Sequence, residues 1–358
     1  MAELAEIYTR TMEGDSTRSI HADREIAELP DIAPPIRPSS TFVEDTGRRY
    51  RRDSHATTER LEAVIGTLSG GHAVAFASGM AAATAILDRL NPGRLTLPDD
   101  VYHGVEVLAE RRESQGALEI VGSGDLGEGD VLWLEVPSNP RCRVPDFAGI
   151  ITAKDERGFV VVCDATFATP IGADMFGNGV DIVMHSLTKA ISGHSDAMGG
   201  IVVVPDPDTA EAFRADRSVT GAIPGSLDTW LSLRGVRTLP LRFQRATESA
   251  QAIAAVFDRR GVTTWYPGLP SHPDHQNAVR YLRSYGSVMS VDLGSVEAAT
   301  RFLSGLRVFT IATSLGGVES LAEHRIKSDP KMPPGLVRLS IGIEDTEDLV
   351  EDVEAALA

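Results

Sequence analysis

The feature that most constrains the fold is an alternation of short apolar runs with longer helical stretches. Apolar runs lie at 94–97, 118–121, 130–135, 159–163, 181–185 and 200–204, and the stretches near 102–113, 146–156 and 206–217 are helix-like. Short, continuous apolar runs bounded by turn residues are strands buried on both faces. Strands that alternate with helices predict an α/β fold, a mainly parallel sheet covered by helices. One more unit precedes them. Thr58–Leu68 is an amphipathic helix with Leu61, Val64, Ile65 and Leu68 on one face, His72–Ala77 is a buried strand, and Ala81–Leu90 is a strong helix former.

Open α/β sheets bind ligands at the carboxyl ends of their strands, so residues at those ends carry the functional reading. Lys189 stands just past the strand 181–185, in His185-Ser186-Leu187-Thr188-Lys189. The chain has only four lysines, Lys154, Lys189, Lys327 and Lys331, and otherwise uses arginine for positive charge. Only an amine forms an imine with a carbonyl. Lys189 is therefore either a solvated lysine or a Schiff-base lysine holding pyridoxal phosphate, with the Ser186 and Thr188 hydroxyls offered to an anion.

Other strand ends carry compatible groups. Asp164, at the end of the strand 159–163, either caps a helix or pairs with a pyridinium nitrogen, which needs a carboxylate to remain protonated. Ser78-Gly79-Met80, between strand and helix, is either a plain cap or an anion site. Tyr102 is a surface aromatic or a ring stacked on a flat cofactor. Asn139 is a turn residue or a ligand contact.

From about residue 225 the pattern changes. Leu227–Arg260 is largely helical with a kink or break at Pro240, 286–292, 308–312 and 336–341 are strand-like, and 345–357 is an acidic helix. The expected organisation is an arm over 1–49, an α/β cofactor domain over 50–235 and a smaller α+β domain over 236–358. Pro30, Pro34, Pro35 and Pro38 break up the arm, which is expected to lie on a neighbouring subunit. Arg48-Arg49-Tyr50-Arg51-Arg52 is either a solvated run or a phosphate or carboxylate clamp. Ser314 offers a hydroxyl in a turn. Arg338, inside an apolar strand, needs an anionic partner, supplied by a structural salt bridge or by a substrate carboxylate.

The net charge of −17 argues against a nucleic-acid partner. No apolar run approaches the length of a membrane span. The acidic start, Met1–Glu6, lacks signal-peptide features, and two cysteines, Cys142 and Cys163, form no disulfide framework, so a cytoplasmic location is expected. Gly122-Ser123-Gly124-Asp125-Leu126-Gly127 has dinucleotide-fingerprint spacing, but no helix fits before the next strand, so it is read as a loop. His272-Pro273-Asp274-His275 has no further ligand set, and no metal is expected.

Taken together, these pieces resemble the PLP enzymes of cysteine and methionine metabolism, the cystathionine γ-lyases, γ-synthases and β-lyases, methionine γ-lyases and homoserine sulfhydrylases. The resemblance runs in order through Tyr50 with Arg52, Ala77–Met80, Asp99–Gly104, Glu135–Pro140, Asp164–Pro170, His185–Lys189 with Gly193-His194, Leu233–Gly235, Tyr266–His272, Ser314–Leu321 and Arg338–Asp345. It implies the aspartate-aminotransferase fold (fold type I). It implies that Lys189 carries the cofactor and shuttles a proton, that Asp164 pairs with the ring nitrogen, and that Tyr102 stacks on the ring. Ser78, Gly79, Met80, Ser186 and Thr188 would bind the phosphate, completed by Tyr50 and Arg52 of an adjacent subunit. Arg338, Asn139 and Ser314 would bind the carboxylate of a small amino-acid substrate. The implied assembly is a homo-oligomer, a dimer of dimers. The implied activity is cleavage of the Cγ–S bond of L-cystathionine to cysteine, 2-oxobutanoate and ammonia. γ-Replacement, as in a γ-synthase or sulfhydrylase, and β-lyase or methionine γ-lyase activity are the alternatives, beside a PLP-binding paralogue without turnover. The sequence departs from the family at Arg49, His55-Ala56-Thr57, His103-Gly104-Val105, Ala165, Thr313 and Ala322–Ser328. These changes leave the cofactor residues in place and alter the side facing the distal part of a substrate.

Overall fold

The computed structural model describes residues 14–27, 29 and 31–358. The larger sheet contains β1 His72–Phe76, β2 Arg94–Thr96, β3 Glu119–Ile120, β4 Val131–Glu135, β5 Val160–Asp164, β6 Ile182–Ser186 and β7 Gly200–Val204. Their order is β1-β7-β6-β5-β4-β2-β3. β2 to β6 pair in parallel, and β7 runs antiparallel to both β6 and β1. Successive strand residues point to opposite faces, and each face has its own core. Ala73 and Ala75 join Leu61 and Ile65 of the helix Ala56–Ser69, whereas Val74 and Phe76 join Ile86 and Leu87 of the helix Gly79–Leu90.

The edge strand β1 is protected by side chains. Glu62 accepts the Ala75 N–H, while Arg214 and Arg217 donate to the Ala73 and Ala75 carbonyls and pair with Glu62. Unpaired edge groups invite pairing with another chain, and these three ions occupy the Ala75 N–H and the Ala73 and Ala75 carbonyls.

The smaller sheet contains β8 Thr263–Trp265, β9 Val288–Asp292, β10 Thr310–Ile311, β11 Leu321–His324 and β12 Leu336–Ser340, in the order β10-β11-β12-β9-β8. It packs against the helices Leu239–Arg259, Val296–Gly305 and Thr346–Ala356. Two of its strands, β8 and β11, were not expected from the sequence: β8 is only three residues long, and β11 gains stability from its neighbours rather than from local pattern. The helical stretch after 225 breaks at Arg237–Thr238, and Pro240 sits in the first turn of the second helix. There a missing N–H costs little, so the proline follows the break and does not kink a continuous helix.

Part of the arm expected to lie on a neighbour makes contacts with its own chain. The helix Asp15–His21 packs on this chain. Beyond it, buried Asp23 accepts from Arg60 at 2.6 Å and Arg237 at 2.9 Å. Trp230 and Ser226 donate to the carbonyls of Pro34 and Arg37. A buried carboxylate is costly unless paired, so Asp23 ties the segment to its own subunit. Residues 1–13, Glu28 and Pro30 lie outside the described residues. The glycine-rich stretch at 122–127 forms a short 3₁₀ turn and no long helix.

Glu62→Ala removes the anion shared by Arg214 and Arg217 and leaves the Ala75 N–H unpaired. The expected loss is about 3–5 kcal/mol, the range for breaking a buried ion pair, read as a lower urea midpoint. An unchanged midpoint would show that the edge needs no such protection.

Candidate active site

The strand ends of the large sheet and the loops of the small one enclose a cavity of about 450 Å³. Of the thirteen residues marked in the sequence, eleven line it: Ser78, Gly79, Met80, Tyr102, Asn139, Asp164, Ser186, Thr188, Lys189, Ser314 and Arg338. Tyr50 and Arg52 do not. Tyr50 is 44% exposed, with the Arg52 guanidinium 5.3 Å from its ring centroid. The basic cluster around them forms no clamp within this chain. Arg48 pairs with Glu59, and Arg51 donates to the Pro224 carbonyl.

β6 ends at Ser186 and the chain enters a π-helical turn, Leu187–Ile191, held by buried Leu187 and Ile191. Lys189 leaves helical geometry at φ −93° and ψ −138° and donates from Nζ to Ser314 Oγ at 2.9 Å. Ser314 itself has φ +80°, an unfavourable conformation for a residue with a side chain. Burial, and then the positive charge of Arg338, push the Lys189 ammonium below its usual range. More of the amine is therefore free to act as a nucleophile or base.

Asp164 ends β5, beside Met184 of β6 and Glu135 of β4. Its Oδ1 accepts from the Thr166 amide and hydroxyl, while Oδ2 has no hydrogen-bond partner among the described residues. Burial raises its carboxyl to about 6, against the lowering effect of Thr166. Glu135 is pushed well up by burial and by Asp164, and accepts the Tyr102 N–H. Tyr102 is 48% exposed at the cavity mouth. A side chain at Gly104 would meet the Tyr102 ring at 2.7 Å and Met80 at 2.8 Å, so either of those side chains would have to shift. His185 is buried and pushed down to about 4 by burial, with Nδ1 at the Ala165 carbonyl.

The helix Gly79–Leu90 presents its N-terminus to the cavity. The Ser78 hydroxyl caps it by accepting from Ala81, and the amides of Gly79 and Met80 have no partner among the described residues. Ser186 faces them. A side chain at Gly79 would stand 3.3 Å from it, and one at Gly200 would fall 2.2 Å from the Ser78 carbonyl. Free amides at a helix N-terminus, closed in by a hydroxyl, form an anion cradle. The Thr188 hydroxyl is engaged with the Gly199 backbone, accepting at 3.1 Å and donating at 3.3 Å.

Arg338 is buried on β12. Nη1 donates to Asn139 Oδ1 at 3.0 Å, and Nη2 to the Ser314 carbonyl at 3.0 Å and Glu323 Oε2 at 2.6 Å. Burial lowers it to about 10 despite Glu323. The anionic partner the sequence demanded is thus present in the chain, and the guanidinium still faces the cavity. Burial would raise Glu323, but Arg338, the Ser328 hydroxyl and Arg325 hold it low. Glu135 lay in a matched segment and Glu323 and Arg325 in the departing segment Ala322–Ser328, but no role for any of the three was read from the sequence. Glu323 meets Arg338 only through the β11–β12 register, and no local spacing reports that pairing.

An amine, an unpaired carboxylate oxygen and an anion cradle in one cavity match the three polar ends of pyridoxal phosphate. Its aldehyde would meet Lys189, its ring nitrogen Asp164, and its phosphate the Gly79–Met80 turn with Ser186. Fold and site together define a PLP-dependent enzyme of fold type I. The sequence profile of the Cys/Met metabolism PLP-dependent enzymes matches residues 16–358, and the chain belongs to that family. It is 38% identical over 375 residues to a cystathionine gamma-synthase of Mycobacterium tuberculosis, covering 96% of this chain and 97% of the relative. It is also 38% identical over 375 residues to a cystathionine beta-lyase of Coxiella burnetii, covering 95% and 97%. The crystal structure of metB from Corynebacterium glutamicum superposes with a TM-score of 0.92 at 35% identity, over 97% of this chain and 98% of that one. The protein is thus a PLP-dependent enzyme of carbon–sulfur bond chemistry. No helix among the described residues is long and apolar enough to cross a membrane.

Without cofactor, native Asp164 holds its proton more tightly than the unfolded chain does, since its pKa rises from 3.8 to about 6. Its contribution to stability is then greatest at low pH and falls as pH rises through that window. Asp164→Asn, which cannot ionise, should lack this fall. Denaturant titrations of both apoproteins across the window check it, and parallel pH profiles would refute it.

Proposed function

We propose that this enzyme cleaves the Cγ–S bond of L-cystathionine, releasing cysteine, 2-oxobutanoate and ammonia. The observation that carries the reading is the joint placement of Lys189 and Arg338 on Ser314, one bonded to its hydroxyl and the other to its carbonyl. An amino acid whose carboxylate rests on Arg338 has its α-carbon next to the Lys189 amine. Bound pyridoxal phosphate supplies an electron sink for the bonds of that carbon.

The chain's own residues do the rest. Arg338 and Asn139 orient the carboxylate. The lowered pKa of Lys189 suits it to take the α-proton at Nζ and return protons later in the reaction. Asp164 would hold negative charge against the ring nitrogen, Tyr102 would cover the ring, and Ser78, Gly79, Met80 and Ser186 would hold the phosphate, whereas the Thr188 hydroxyl is engaged with the Gly199 backbone. Tyr50 and Arg52, standing outside the cavity of their own chain, complete the phosphate site of an adjacent copy, so the working unit is at least a dimer.

γ-Replacement shares these early steps and differs in whether a thiol enters after the γ-substituent leaves. The similarity to a chain named cystathionine gamma-synthase favours it as the second reading.

The test is the keto acid released from L-cystathionine by the PLP-loaded protein, identified by mass. 2-Oxobutanoate is expected, pyruvate would mean β-elimination, and no keto acid together with cystathionine formation from an O-acylhomoserine and cysteine would select replacement. Lys189→Ala should lower turnover by at least about 10²–10⁴-fold, the usual worth of a positioned proton-transfer group. Undiminished turnover would overturn the assignment.

A further inference from the structure

The cavity contains a second guanidinium, Arg325, in the short turn Arg325–Lys327 that follows β11. Its Nη1 donates to Glu323 Oε1 at 3.1 Å. That oxygen also accepts from the Ser328 hydroxyl, and the other oxygen of Glu323 serves Arg338. One carboxylate is therefore divided between two arginines. Arg325 Nε is buried with no partner, and Nη2 has none among the described residues. The Arg325 side chain is only 12% exposed. A buried donor set left unpaired costs free energy, and here it belongs to a cation on the wall of the substrate cavity. The segment is also tied across to the helix His103–Ser114, where Lys331 Nζ lies 3.1 Å from Glu106.

Lys189, Arg325 and Arg338 line the cavity with Asp164 and Glu135, and burial together with Asp164 pushes the Glu135 carboxyl well up toward its uncharged form. Glu323 can neutralise one arginine, not two. With an α-carboxylate on Arg338, Glu323 matches Arg325 in charge, yet Nε and Nη2 of Arg325 still have no acceptor among the described residues.

We infer that Arg325 is a specificity-determining residue that receives a second carboxylate, carried at the far end of the substrate's γ-substituent. This deepens the proposed function and rests on its reading of the cavity as the site of a γ-substituted amino acid. The shared chemistry is a terminal carboxylate. Its source is the cysteine half of a thioether, as in cystathionine, or the acyl group of a succinyl ester.

Two pairs of substrates differ in that carboxylate: L-cystathionine against L-methionine, which also lacks the distal ammonium, and O-succinyl- against O-acetyl-L-homoserine with cysteine as the thiol. Each pair is assayed with the PLP-loaded wild type, Arg325→Gln and Arg325→Lys. For whichever pair the enzyme uses, Arg325→Gln should lose about 10- to 100-fold in kcat/KM on the carboxylate-bearing member, the range of one charge-assisted pair. The loss should fall mainly in KM, the uncharged member should stay within about 2-fold of wild type, as expected where the altered contact is absent, and Arg325→Lys should recover part of the preference. The pair affected identifies the source. A parallel loss on both members would overturn the inference and leave Arg325 as a support for Glu323 and Arg338; no loss on either would also overturn it. If none of the substrates is turned over, the proposed reaction fails, and calorimetry then judges Arg325 separately. Wild type that binds cystathionine more tightly than methionine, with the difference lost in Arg325→Gln, upholds the inference. Equal affinities in both proteins overturn it.

Discussion

A guanidinium cannot be buried alone, and the structure is arranged around that constraint at Arg338. The desolvation of a cation is repaid only when hydrogen bonds and an opposite charge surround it. The partners of Arg338 come from three places: Asn139 from the loop after β4, the carbonyl of Ser314, and Glu323 on β11. The requirement therefore joins the large sheet to the small one at the cavity. The same contact surface is reinforced by Ser290, which donates to the Pro140 carbonyl at 2.7 Å. Ser314 then links the second buried cation, Lys189, to the first.

The large sheet imposes the complementary constraint. Parallel pairing sets Glu135 of β4 directly beside Asp164 of β5, with the Lys189 segment following from β6. Two acids that close together in a buried site resist double ionisation. Glu135 gives way, pushed well up while it holds the Tyr102 amide, and Asp164 keeps an open oxygen. The site is thus electrostatically incomplete until a positively charged ring nitrogen arrives. A helix N-terminus with free amides is incomplete in the opposite sense, since it lacks an anion. Pyridoxal phosphate seated on Asp164 and on that helix N-terminus would satisfy both ends.

Much of this was legible in local sequence. The strands of the large sheet lie within a residue or two of their apolar runs, because a strand buried on both faces must be apolar along its length. Lys189 and Asp164 stood out because polar groups at such strand ends need a reason. The small sheet was less legible. Leu321-Ala322-Glu323-His324 has no β-branched residue and no clean alternation, and β11 is a strand because β12 pairs with it. The pairing of Glu323 with Arg338 and Arg325 was hidden with it. The arm was illegible for a different reason: proline content reports that a segment has no regular core of its own, not what it touches, and the contacts of Asp23 with Arg60 and Arg237 of the same chain appear only in the structure.

The sequence by itself determined the fold class and the chemistry that the strand ends could offer, since burial periodicity and the identity of the amine and carboxylate are local properties. It also determined the departures from the family pattern at Arg325 and Thr313. Tertiary structure alone decided which charges neutralise one another. That Arg338 shares Glu323 with Arg325, that Lys189 bonds Ser314, and that Thr188 is occupied by Gly199 all depend on strand register and on the approach of two sheets. Electrostatic energies fall off with distance and dielectric, so the pairing of buried ions is written in three-dimensional separations that no spacing along the chain contains.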